Sequence, residues 1–128
     1  MEADILTLPK DADLVRKLKG KLLEYNQRVE AHKYQHPKMG GDIALNSRYK
    51  GFVLATLLRD GTINSYDLSM VMADKFGRSV FDTDLFNTCY GVIRAYIVEP
   101  DNIRDGTGLS DREIDVSQLE RVIESFIN

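Results

Sequence analysis

Few residues of this chain stand where chemistry would need them. His32 and His36 are four apart, a spacing that puts two imidazoles on one helix face, as some metal sites require. The chain has no third histidine, no glutamate in the zinc-protease position between them, and Pro37 follows at once. The pair therefore reads as ordinary polar residues near a helix end, and no metal ligand is assigned. Cys89 is the single cysteine and cannot form an internal disulfide. Its apolar neighbours mark it as a small buried thiol rather than a nucleophile. Asp82 and Asp84 sit at a helix start, where capping accounts for them. No serine lies in a Gly-x-Ser-x-Gly elbow, and the two histidines lie together, so no base faces a nucleophile. No catalytic residue and no cofactor are assigned.

Two glycine-containing motifs invite a ligand and fail on composition. Arg-Asp-Gly-Thr occurs at residues 59–62 and again at 104–107. A calcium loop needs oxygen ligands at its positions 1, 3 and 5, Gly at 6 and Glu at 12. Aligning Gly61 or Gly106 with position 6 puts Leu58 or Ile103 at position 3, and Arg112 closes the second copy. Both copies read as turns. Gly40-Gly41 lacks the following Gly-Lys-Ser/Thr of a phosphate loop, and residues 37–42 read as a connector.

The remaining chemistry is charge. The 128 residues carry a net charge of −3, unevenly spread. Residues 10–38 hold eight Lys or Arg and four Asp or Glu, while residues 99–124 hold three Arg and eight Asp or Glu. A basic arm and an acidic end suggest complementarity within the chain or between copies. Lys17, Lys19, Lys21 and Arg28, joined by Arg78, are the candidates for touching nucleic acid. Six tyrosines suit sites with one wet and one apolar end, including interfaces.

The elements that would position these groups are helices. Apolar content of 43% and charged content of 29% are ordinary for a globular chain, and this length fits one domain that buries a core without disulfides. There is no basic start followed by an apolar run, and no apolar stretch is long enough to cross a membrane. A reducing, cytoplasmic setting is the expectation. Residues 1–9 read as an irregular lead. Residues 10–36 read as a basic amphipathic helix capped by Asp11 or Asp13. In it Val15, Leu18, Leu22, Tyr25, Val29 and His32 follow a 3,4 spacing close to three heptads, with Gly20 on the outer face. Residues 43–128 read as a helical core. One helix runs to Leu58 and ends at Gly61. A second is capped by Asn64, with Ile63 and Leu68 placed as a staple, and stops at Gly77. Residues 82–98 hold one charge after Asp84 and are apolar on most of their circumference, the mark of a buried central helix. Pro100 ends it, and a last helix opens at a capping box of Ser110 and Glu113 or at Asp115.

The predicted fold is an all-α, single-domain bundle of about five helices around residues 82–98. The expected function is a non-catalytic interaction or assembly protein. It would associate with itself or dock on a larger partner through the seam Val15, Leu18, Leu22, Tyr25 and Val29. One alternative is a nucleic-acid-associated regulator, because the helices on either side of Gly77 are spaced like a helix-turn-helix pair. Against it, the second helix opens on Asp82 and Asp84, which would meet phosphates unfavourably. The other alternative is a small enzyme of unknown chemistry.

Overall fold

The computed structural model describes residues 4–32, 37–103 and 114–128, with backbone alone for 37–44. His36, Tyr34, the second Arg-Asp-Gly-Thr copy and the Ser110/Glu113 box lie outside the described residues. The described residues form an all-α bundle of five helices with one small two-stranded sheet. In chain order these are β1 (Ile5–Thr7), α1 (Ala12–His32), α2 (Pro37–Asp60), β2 (Thr62–Asn64), α3 (Ser65–Phe76), α4 (Thr83–Val98) and α5 (Val116–Ile127), with a 3-10 turn at Pro100–Asn102.

Local grammar explains most of the ends. Asp11 Oδ1 accepts the Asp13 and Leu14 amides at 2.9 and 3.3 Å and starts α1. Asn64 Oδ1 accepts those of Tyr66 and Asp67, Asp82 accepts that of Leu85, and Asp115 accepts those of Ser117 and Gln118. Each cap satisfies amides that a helix start leaves without partners. Gly61 and Gly77 both have φ of +80°, a region that L side chains avoid, and so end α2 and α3 sharply. Residues 37–42 are not a connector. Pro37 is the first residue of α2, where its missing amide costs nothing, and Gly40-Gly41 lies within the helix.

The centre of the bundle is α2, not residues 82–98. Every residue from 51 to 57 is buried, and α1, α4 and α5 all pack against this helix. On α4, Phe86, Cys89, Tyr90 and Ile93 face inward, but Thr88, Gly91 and Ala95 face solvent. Small uncharged residues made α4 look apolar all round; absence of charge is not burial. A row of rings (Phe76, Tyr49, Phe81, Phe86 and Tyr90, with successive centroids 4.8 to 6.0 Å apart) fastens α3 and α4 to α2.

The lead is not irregular throughout. β1 pairs antiparallel with β2, Leu6 opposite Ile63, and both of these side chains are buried. The Leu8 amide donates to the Gly61 carbonyl at 2.8 Å and the Ser65 amide to that of Asp4 at 2.9 Å. Three residues are too few to show a period of two, which is why periodicity misses both strands. The first Arg-Asp-Gly-Thr copy is the turn from α2 into β2. Its Arg59 binds Asp60 through two bonds of 2.7 and 2.9 Å.

Two glycines give opposite expectations. A Cβ on Gly51 would overlap the Phe126 ring, so α2 and α5 touch only because residue 51 has no side chain. Gly51→Ala is expected to cost about 1–3 kcal/mol through overpacking. A Cβ on Gly91 meets nothing within 4 Å, so Gly91→Ala should gain about 1 kcal/mol from helix propensity. Urea unfolding of the two variants beside the parent chain measures both.

Candidate interaction surface

The seam read from α1 is packed inside its own chain. Leu18 and Leu22 are fully buried, Tyr25 is 1% exposed, and Val15 and Val29 are half-buried. α1 packs against α2 and α5, and the middle of the seam is covered within the chain and not open to a second copy. The 3,4 spacing is real, but such a stripe reports only that something covers it. Gly20 is buried as well, not on the outer face.

The basic residues do not form one free patch. Lys21 is buried, 2.9 Å from Glu24, and its ammonium lies 5.8 Å from the Tyr96 ring centre. This removes it from any nucleic-acid contact. Arg28 is bound to the same Glu24 at 2.7 Å, Lys17 lies 3.6 Å from Asp13, and Arg78 lies 3.4 Å from Asp74. Lys19 is half-buried. Acids at i, i+3 and i, i+4, visible in the sequence, hold Lys17, Lys21 and Arg28 along α1 and Arg78 after α3.

Beside the Lys21–Glu24–Arg28 group, the Tyr25 and Tyr96 hydroxyls share a hydrogen bond of 3.0 Å. The Lys50 ammonium lies 5.8 Å from the Tyr25 ring centre. The cluster joins α1 to α2 and α4, and its polar atoms satisfy one another. Burial, and next the Tyr96 partner, push the Tyr25 hydroxyl well above the usual phenol range. Burial pushes the Cys89 thiol up to about 11, and its Sγ donates to Asn46 Oδ1 at 3.2 Å. The thiol is therefore protonated at neutral pH and a poor nucleophile. Burial, followed by Asp4, raises Tyr90 to about 12; its hydroxyl donates to the Asp4 carbonyl at 3.1 Å.

What the sequence reading missed is α3. This helix buries only Leu68 and Met72. Tyr66, Met70 and Val71 stand out from it, 62%, 40% and 53% exposed. Large apolar side chains that stay adjacent in water on one short helix mark a surface made to be covered. Beside them runs a groove of about 360 Å³ between α3, β2 and the ends of α2 and α5. Phe52, Ile63, Leu68, Val71 and Ile127 supply its apolar walls, with Asp67 near one end and Lys75 near the other. Lys75 donates to the Ile127 carbonyl at 3.2 Å and lies 5.6 Å from the Phe52 ring centre. A wider hollow of about 820 Å³ against α5 is rimmed by Arg59, Arg121, Glu120 and Glu124, a balanced set that selects no ion sign. The signal for α3 was present in the sequence. Tyr66 and Met70 lie on the side opposite Leu68 and Met72, and Val71 lies at the edge next to Leu68, so this short helix carries more apolar surface than the core takes.

No protein-family model, no curated protein and no solved structure matches the chain. Among the described residues no group of three or more His, Cys, Asp or Glu is placed to hold a metal ion. No helix among them is long and apolar enough to cross a membrane.

The buried pair on α1 gives a stability test. Glu24→Gln leaves the Lys21 ammonium nearly dry without a counter-charge, and should cost about 3 kcal/mol. Lys21→Met combined with Glu24→Gln removes that charge and should cost far less. Equal losses in urea unfolding would show that the ion pair is not the determinant. A second test is alkaline. Cys89, Tyr90 and Tyr25 all hold their protons more tightly folded than unfolded. The unfolded chain binds fewer protons as pH rises, so their contribution is complete below the ordinary thiol and phenol pKa values and is lost above them. Unfolding free energy should fall steadily from about pH 8.5 to 11; a flat profile would contradict the burial of these groups.

Proposed function

We propose that this is a small non-catalytic interaction or assembly protein whose contact surface is the outer face of α3 with its adjoining groove. The observation that carries this reading is the exposure of Tyr66, Met70 and Val71 beside an apolar groove. The contact is an amphipathic helix, as the sequence suggests, but it is α3 rather than α1. Its occupant is an apolar-faced segment of a protein. A helix laid into such a groove inserts side chains at i, i+3 and i+4 spacing. Tyr66 and Met70 are the residue types enriched where interfaces are driest. The setting we assign is cytoplasmic. The single buried thiol needs no oxidising partner, and the bundle holds together without a disulfide.

The test is a selection of displayed peptides on the intact chain, counter-selected on a Val71→Lys variant. Val71 is exposed, so the variant should unfold within about 0.5 kcal/mol of the parent. The expected result is a set of amphipathic sequences whose binding Val71→Lys and Tyr66→Ser weaken at least about tenfold. Binders indifferent to both substitutions, with no association of the chain that depends on Val71, would overturn the assignment.

A further inference from the structure

We infer that the occupant of the α3 surface is a second copy of this chain, paired antiparallel along α3 about a two-fold axis at Val71. The inference rests on the reading just given and identifies its partner. Asp67, Val71 and Lys75 are all exposed and follow one another at intervals of four. They form a single ridge of about 12 Å on the helix surface. The ridge carries an acid at its start, an apolar residue in the middle and a base at its end.

A two-fold axis through Val71 maps position 67 onto position 75. Packing in which the i±4 ridges of two helices lie alongside each other is the commonest helix–helix class, and it sets this ridge beside its own reversed copy. Asp67 of each protomer then meets Lys75 of the other, and Val71 meets Val71. A contact that uses the same patch twice must be self-complementary, and this one is in charge. Lys75 now donates to a neutral carbonyl, that of Ile127. A carboxylate in its place gives a stronger, charge-assisted bond. Since the patch is one short helix, the association is weak, concentration-dependent and weakened by salt.

The experiment is light scattering of the full chain over a range of concentrations, with Asp67→Lys, Lys75→Asp and the double swap. The parent mass should rise from 14.5 kDa towards twice that value as concentration increases. Each single swap sets like charges against each other and should raise the dissociation constant about tenfold or more. The double swap restores opposite charges and should return it to within about threefold of the parent. Val71→Cys should oxidise to a covalent dimer, because a residue on the axis faces itself. Val80→Cys, more exposed but off the ridge, should not. A mass of 14.5 kDa at every concentration, or a double swap that rescues nothing, would overturn the pairing. Where that result comes with Val71-dependent peptide binding, the α3 surface stands and only the second copy fails. Where that binding is missing too, the assignment of the surface fails with it.

Discussion

Residues 51–57 of α2 lie out of water on every side, and three other helices exist in their present places to keep them so. Leu14, Leu18, Leu22 and Tyr25 of α1 are spent on that task, as are Phe86, Cys89 and Ile93 of α4 and Leu119, Val122 and Phe126 of α5. The closest approach is steric in origin. Phe126 lies where a side chain on residue 51 would be, so the fit of α5 depends on a hydrogen atom there. Once α2 is enclosed, the apolar surfaces of α1, α4 and α5 are largely consumed. Of the large apolar side chains left exposed, Tyr66, Met70 and Val71 share α3, the helix that contributes least to the enclosure.

That division separates the stabilising residues from the interacting ones. α1 carries the buried ion pair and the linked tyrosines, a polar arrangement that fixes how α1 meets α4 and leaves little charge free. α3 is held by its cap, by Leu68 and Met72, and by the contact of Phe76 with Tyr49. Its other side is therefore free to carry Tyr66, Met70 and Val71 without cost to the core. On the reading proposed above, substitutions on that side are expected to change association and spare folding, which is not true of any side of α2 between residues 51 and 57.

The helical class and most helix ends were legible because they rest on local rules. Asn64, Asp82 and Asp115 cap the helices they were expected to cap, and Gly61 and Gly77 adopt the backbone that the turn reading requires. What was illegible depends on neighbours. Periodicity placed Leu18 and Leu22 on a stripe, but nothing in a single sequence says whether α2 or another molecule covers it. The apolar look of residues 82–98 came from Thr88, Gly91 and Ala95, which carry no charge and sit at the surface. Lys21 looked like a surface cation because only the folded chain brings Tyr96 over it. The α3 face could have been found by asking which short helix had more apolar residues than a core can receive.

The pairing of β1 with β2 joins residues that are 55 to 59 positions apart, and it is the only link between the lead and the middle of the chain that runs through a backbone ladder among the described residues. Joining such distant positions requires closing a long loop, which is entropically costly until other contacts shorten it. The ribbon is therefore a late event in folding, formed after α1 and α2 have already met. By the same reasoning it is an early one in local opening. Release of Leu6 from Ile63, together with the bonds of Asp4 to Ser65 and Tyr90, would free residues 4–10 while α2 stays enclosed, so the bundle has a clasp that can open without coming apart.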